Sequence, residues 1–239
     1  VNVLAFDTAT SATAVALGER ELRDDPVGGQ RPGHASHLLV LAAQLVDAAG
    51  GWGVIDRIAV GVGPGTFTGL RIGIATAQAL AGATGIPLVG VGTLDSLEHQ
   101  AHRLGERRRV LAVIDARRGE AFAGGAGLEP CVLTPAALAQ TAERLLGERD
   151  ETAGRRAGGG LTPTGDGLIA DGLIAVGDGA VRFRAELEAA GVEVPEDDAR
   201  LHRVSAVDHC LLAPALTPGA NGVIAPLYLR IPDAELNLK

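Results

Sequence analysis

The stretch Gly63-Pro64-Gly65-Thr66-Phe67-Thr68-Gly69-Leu70-Arg71-Ile72-Gly73 decides how the rest of the chain is read. The apolar run Ile58 to Val62 leads into it, and the apolar residues after it stop at Gly85, just before Pro87. An apolar run, a glycine turn and a longer segment closed by glycine and proline predict strand, loop and helix in that order. Between Arg57 and Asp95 the only charged residue is Arg71. A helix without a polar face is buried on every side, by its own chain or by a partner. Small residues recur at every fourth position, Gly65, Gly69, Gly73, Ala77 and Ala81, so one ridge of the surface is nearly bare. Gly69 and Gly73 each lower helix propensity by about 1 kcal/mol relative to alanine, which close packing must offset. The sequence reading puts a partner's backbone on that ridge, so Gly73→Leu is expected to weaken partner binding without lowering the chain's own stability.

Upstream, Asn2 to Phe6 run apolar into Asp7, Thr8 to Ala12 make a turn, and Thr13 to Leu17 form a second strand: a hairpin with hydroxyls beside a carboxylate. Glu19 to Asp25 read as a charged edge strand, and Ser36 as the cap of a helix ending at Gly50-Gly51, with Leu38, Leu41 and Leu45 on one stripe. Downstream, Pro87 to Val91 form a strand and Thr93 to Leu104 a helix. From Val110 the opening pattern returns. LAVIDARRGEAFAG (111–124) repeats the layout of VLAFDTATSATAVAL (3–17), and Asp115 stands where Asp7 stood. That duplication predicts two lobes, 1–106 and 107–239, each a mixed α/β sheet flanked by helices. The second lobe is expected to hold a helix over Pro135 to Leu146, a mobile loop at about 147–167, and a doubled DGLIA (166–170 and 171–175) of which one copy serves a strand. The turn Gly177-Asp178-Gly179, helices over Ala180 to Ala190 and Val204 to Ala213, and a tail ending Ala225 to Arg230 follow.

Hydrophobic residues at 46% of 239 suffice for two buried cores. The longest uncharged stretch, Ile72 to Val91, is interrupted by Gln78, Thr, Pro and Gly, so it reads as core and not as a membrane span. Asp7 breaks the first apolar run, against a signal peptide, and Cys131 and Cys210 make no metal or redox spacing, which fits a reducing cytoplasm. A net charge of −8 and 3% aromatics offer neither a basic groove nor stacking platforms. The isolated chain is therefore expected to bind RNA no better than about 10⁻⁴ M.

The glycine loop could cradle a phosphate, but no Lys-Ser or Lys-Thr follows Gly69, and the strand Leu88 to Val91 ends in Gly92-Thr93 with no acid for a ribose. Asp7, Thr8, Thr10 and Ser11, with Asp115 and the Gly177-Asp178-Gly179 turn, match the two hairpin turns and glycine turn that a phosphotransferase-like fold sets around a nucleotide. They equally match ordinary capped turns, and the second turn carries Arg117, Arg118 and Glu120 instead of hydroxyls. His34 and His37, like His99 and His102, are spaced i, i+3 without a third ligand, so capping or a solvated face is expected and no metal. Neither Gly-x-Ser-x-Gly nor His-Glu-x-x-His occurs, which leaves the common hydrolases without a nucleophile or base.

LAFDTATSATAVAL, His34 before an apolar helix, GVGPGTFTGLRIGIATAQALA, PLVGVGTLDSL, VLAVIDARRGEAFAG and the tail PLYLR together resemble the TsaB (YeaZ) family of bacterial threonylcarbamoyladenosine biosynthesis proteins. The likeness runs from Val3 to about Phe122, then over Gly177 to Gly179 and Pro226 to Arg230. It implies an α/β, two-lobed actin-like (ASKHA, ribonuclease H-like) fold and a part in making threonylcarbamoyladenosine beside the anticodon of tRNAs that read codons beginning with A. In that family the active site belongs to a paralogue, TsaD, and a small ATPase, TsaE, is the third partner; the B subunit is a scaffold with no catalytic residue. The implied partner interface is Leu38, Leu41, Leu45, Gly69, Leu70, Arg71, Gly73, Ile74 and Ala77, which a second copy of the chain covers when the paralogue is absent. Vestigial nucleotide-facing positions would be Asp7, Thr8, Thr10, Ser11, Asp115, Gly177 and Gly179, with weak ATP or ADP binding at most and no cofactor. The paralogue's His-x-x-x-His metal pair is matched only by His34-x-x-His37, so no metal is expected. RNA would be met only through the complex, in the cytoplasm, with no membrane. The rival reading is an enzyme of the same superfamily, a metal-dependent peptidase or a sugar-kinase-like ATPase; the first needs a third metal ligand, the second more magnesium-binding acids than Asp7.

Overall fold

The computed structural model describes residues 1–27, 30–148, 172–219 and 222–230. The loop expected at about 147–167 lies outside the described residues from 149 onward, as does the first DGLIA copy. The chain divides into two units, Val1–Leu97 with Val204–Lys239, and Glu98–Arg203.

The first unit is built on a five-stranded sheet of β1 (Val3–Asp7), β2 (Thr13–Leu17), β3 (Arg20–Asp24), β4 (Arg57–Gly63) and β5 (Leu88–Gly92), in the order β3-β2-β1-β4-β5. The hairpin strands β1, β2 and β3 pair antiparallel, and β4 lies parallel to both β1 and β5. Alternate residues point to opposite faces of a strand. Leu4, Phe6, Val15, Ile58, Val60 and Leu88 therefore share one buried layer with α1 (His34–Ala48) and α2 (Phe67–Thr84). Val3, Ala5, Ala14, Ala16, Ala59, Val89 and Val91 form the other layer, which the helix Ala206–Leu212 covers. Strands buried on both faces read as unbroken apolar runs, and these do. Gly33, not the expected Ser36, is the N-cap of α1; the Ser36 hydroxyl lies one turn in and donates back to the Gly33 carbonyl at 3.1 Å. The end of α2 is as read, with Gly85 left-handed at φ 73° and its N–H bonded to Ala81 O. The helix α3 (Thr93–Arg103) follows β5.

The second unit holds β6 (Arg109–Asp115), β7 (Ala121–Gly125), β8 (Leu128–Leu133) and β9 (Leu173–Val176), ordered β8-β7-β6-β9. That is the order β3-β2-β1-β4 again, so the duplication seen in the sequence is a duplication of topology. Where a fifth strand would stand, a single parallel bridge joins Ile174 to Glu193. The helix α4 (Pro135–Gly147) starts on Thr134, whose hydroxyl accepts from Ala137 N, with proline in the first turn where its missing N–H costs nothing. The helix expected over 180–190 is two, α5 (Asp178–Arg182) and α6 (Arg184–Ala189), because Phe183 leaves helical geometry to bury its ring beside Leu138 and Leu187.

The last helix, α7 (Ala206–Leu212), belongs to the first unit. This corrects the expected 1–106 and 107–239 division: the second lobe closes at Arg203, and Ala206, Cys210 and Ala213 then pack on the Val3, Ala5 and Ala14 layer of the first sheet. Among the described residues no helix is long and apolar enough to cross a membrane.

Candidate partner face and hairpin-turn sites

Side by side on the first sheet, α1 and α2 bury one face each. Leu38, Ala42, Leu45 and Val46 point inward from α1, and Leu70, Ile74, Ala77 and Ala81 from α2. The bare ridge has an owner within the chain. A Cβ at Gly69 would run into the Thr8 carbonyl, one at Gly73 into the Thr8 hydroxyl, and that hydroxyl donates to Gly69 O at 2.8 Å. Seven positions expected at a partner interface, Leu38, Leu45, Gly69, Leu70, Gly73, Ile74 and Ala77, thus sit in the chain's own core. Periodicity says that a face is covered, not by whom.

Leu41, half-buried, and Arg71, exposed, remain at the surface. The large side chains turned outward are Leu39 and Val40, 53% and 52% exposed. Ala43 and Gln44 of α1 and Thr68, Ala75 and Ala79 of α2 are exposed as well. Along the 34–48 and 67–84 helices the only Asp, Glu, Lys or Arg residues are Asp47 and Arg71. Arg71 is held in place: its guanidinium carbon sits 3.8 Å over the Phe67 ring and its Nε donates to Tyr228 Oη at 3.3 Å, with the two rings 5.2 Å apart. The C-terminal PLYLR segment is therefore docked on the start of α2.

At the first hairpin turn, Asp7 is 1% exposed. Its Oδ1 accepts from Ala9 N at 2.7 Å, and its Oδ2 from Thr93 Oγ1 at 2.9 Å and His209 Nε2 at 3.1 Å. Burial opposes the charged form, but His209, the Ala9 amide and the Thr93 hydroxyl outweigh it and hold the carboxyl below its usual value. Gly61 makes the room, since a Cβ there would overlap the Asp7 carboxylate. His209 Nδ1 lies 3.0 Å from Ser96 Oγ and 3.1 Å from Ser205 O, completing a Ser96–His209–Asp7 row. All three side chains are buried, so no substrate carbonyl can reach the serine; the row ties α7 and α3 to the end of β1. Thr8 is likewise spent on α2, while Thr10 and Ser11 are half-buried at the turn. His209 has no motif around it and stands 202 residues from its partner, which is why a reading of the sequence misses it.

The second turn copies the first and then departs from it. Asp115 Oδ1 accepts from Arg117 N at 2.8 Å, the same two-residue turn that Asp7 makes with Ala9. Its Oδ2, however, takes Arg117 and Arg182, each at 3.0 Å. Asp178 Oδ1 accepts from Asp115 N at 3.0 Å, and burial together with the Asp115 charge pushes its own carboxyl up. Gly179 is where α5 crosses β6, since a Cβ would meet Ile114 C at 2.6 Å, and Gly177 opens the helix at φ 100°. Arg117 and Arg118 have φ of 62° and 53°. Left-handed backbone costs a non-glycine residue on the order of 1–3 kcal/mol.

His34 is buried, not solvated or capping as expected; its Nδ1 lies 2.8 Å from Thr13 Oγ1, and burial pulls its pKa below the usual value. His37 is exposed and pairs with Asp24 at 2.7 Å. A histidine that stays neutral when folded but charges when unfolded loses stability as pH falls below its unfolded value of about 6.5. His34→Gln should therefore flatten the fall in melting temperature between pH 7 and 5.5, even if it lowers the plateau at pH 7.5. An unchanged slope would remove His34 from the acid response.

Residues 26–137 match the family model for TsaD, tRNA N6-adenosine threonylcarbamoyltransferase. The tRNA threonylcarbamoyladenosine biosynthesis protein TsaB of Escherichia coli is 38% identical over 123 residues, 51% of this chain and 53% of that one. The chain spans about half the length of the curated relatives it matches. Solved structures match further. A Pseudomonas aeruginosa protein described as similar to peptidase YEAZ superposes with a TM-score of 0.69 at 29% identity, over 96% of this chain and 99% of that one. YeaZ from Pseudomonas aeruginosa gives a TM-score of 0.61 and 30% identity, over 90% and 92%. The two-lobed α/β architecture is actin-like, and by identity and coverage together the chain belongs to the TsaB/YeaZ family.

Proposed function

We propose that the chain is a non-catalytic scaffold subunit of the machinery that places a threonylcarbamoyl group on the adenosine beside a tRNA anticodon, where it binds and supports a TsaD-like catalytic paralogue. The observation that carries the reading is the nearly uncharged face of α1 and α2, with Leu39 and Val40 turned to solvent. Interface cores are depleted of charge and rich in apolar area, and along these two helices the only charged residues are Asp47 and Arg71. Membership of the family, and the similarity of residues 26–137 to TsaD itself, support a paralogous pair that meets through like surfaces. A second copy of the chain occupies the face when the paralogue is missing, a TsaE-like ATPase joins the pair, and tRNA is held through the assembly. The chain needs no cofactor and works in the cytoplasm.

The test is reconstitution of the modification from this chain, the paralogue, the ATPase, tRNA and a threonylcarbamoyl donor. Omitting the chain should abolish product. Removing a working triad serine costs a hydrolase about 10⁶-fold in kcat, but Ser96→Ala at full assembly should leave product formation unchanged. A large loss there would make this chain an enzyme.

A further inference from the structure

The turn between β6 and β7 keeps two adjacent arginines in a conformation that glycine would adopt without strain. Hairpins meet such backbone with Asn-Gly or Gly, yet here Arg117 and Arg118 precede Gly119. Asp115 enforces the arrangement through both the Arg117 amide and the Arg117 guanidinium. Strain retained where a smaller residue would relieve it points to the use of the side chain. Arg182 joins them from α5 through the same carboxylate; its side chain is 46% exposed and that of Arg117 55%, and Arg118 is exposed as well. The carboxylates at this turn include Asp115, which lies buried beneath the arginines, Asp178, which is buried, and Glu120, which is half-buried. Three guanidiniums thus stand at the surface of a chain whose net charge is −8. Their planar forks of N–H donors match phosphate oxygens two at a time, which an ammonium cannot do.

We propose that Arg117, Arg118 and Arg182 contact RNA backbone phosphates, so that this chain contributes a direct tRNA contact within the assembly. The inference rests on the scaffold reading above. Two or three phosphates add only about 0.7–0.9 each to the salt slope, too few for the isolated chain to hold RNA on its own.

The assembled complex, with its co-elution verified first, is titrated with a tRNA transcript over a range of KCl concentrations. In Arg117→Gly/Arg118→Gly the affinity should drop about tenfold and the salt slope fall by roughly 1.4–1.8. The melting temperature should hold or rise, because glycine relieves both residues. Arginines that serve only to neutralise Asp115 would give the opposite pattern, a lower melting temperature with RNA binding and slope unchanged, and that overturns the proposal. Independently of any variant, phenylglyoxal modification of the wild-type complex, mapped by mass spectrometry, should show Arg117 and Arg118 protected by tRNA. No protection, or protection by millimolar ATP and not by tRNA, overturns it too. A wild-type chain that never co-elutes with the paralogue sinks the scaffold reading instead, so the two failures are distinct.

Discussion

Gly73→Leu will melt well below the wild-type chain, and Gly69→Ala with it. The added Cβ at position 73 overlaps the Thr8 hydroxyl, and the one at 69 overlaps the Thr8 carbonyl, a backbone atom that cannot rotate away. Overpacking a filled core costs about 1–3 kcal/mol and sometimes more, against roughly 1 kcal/mol regained by replacing a helical glycine. Leucine brings three further carbons into a site whose next neighbour is Val60, so the overpacking cost for Gly73→Leu should run past that range to about 4 kcal/mol, a net loss of about 3 kcal/mol. For a chain of this size that is a fall of roughly 6–12 °C. This reverses the expectation drawn from the sequence, in which the ridge met a partner and the variant stayed stable. Scanning calorimetry of the isolated chain decides: a Gly73→Leu protein that melts normally yet binds the paralogue poorly would return the ridge to the interface.

His209→Ala should be the other severe variant. Deleting the imidazole strands the Asp7 carboxylate at 1% exposure with only the Ala9 amide and the Thr93 hydroxyl. Breaking a buried pair from one side costs about 3–5 kcal/mol. The penalty belongs to the stranded charge, so in an Asp7→Asn background the same His209→Ala change should cost far less, and the double-mutant cycle should be strongly non-additive. The pH response follows from the sign of the Asp7 shift. A carboxyl held below its unfolded value lends stability that is present above that value, about 3.9, and is lost as pH falls through the folded value. Asp7→Asn should therefore lack this last acid step. Additive losses in the cycle, or a His209→Ala chain as stable as wild type, would contradict the account of the row.

Much of the fold was legible because short-range signals and global topology agree. The runs ending in Asp7 and Asp115 are strands buried on both faces, and the same Asp-led turn closes each, so an internal repeat could be read from 15 residues. Gly85 ends α2 because left-handed backbone suits glycine, a local requirement visible without a structure. What escaped was long-range. Nothing near Ala206 indicates that the chain returns to the first sheet after the second lobe, and nothing near His209 indicates Asp7. The helix break at Phe183 comes from burying a ring, a tertiary demand that overrides a helical stretch. The buried stripe and ridge of α1 and α2 read as a partner face in the sequence for a related reason. Leu38, Leu45 and Ile74 carry the strongest periodic signal because the core claims them, whereas Leu39 and Val40, off the stripe, are the apolar residues left in solvent.

The central claim is most directly tested by the affinity of the paralogue for Leu39→Asp/Val40→Asp, measured by calorimetry beside the wild-type chain. Both side chains are about half exposed, so the isolated variant should fold and melt as wild type does. Placing two carboxylates in a dry interface core costs several kcal/mol. On the tenfold per 1.4 kcal/mol scale, binding should weaken by at least about a hundredfold, with threonylcarbamoylation of tRNA falling in step. A variant that is folded, binds the paralogue with wild-type affinity and supports full modification would contradict the scaffold face assigned to α1 and α2.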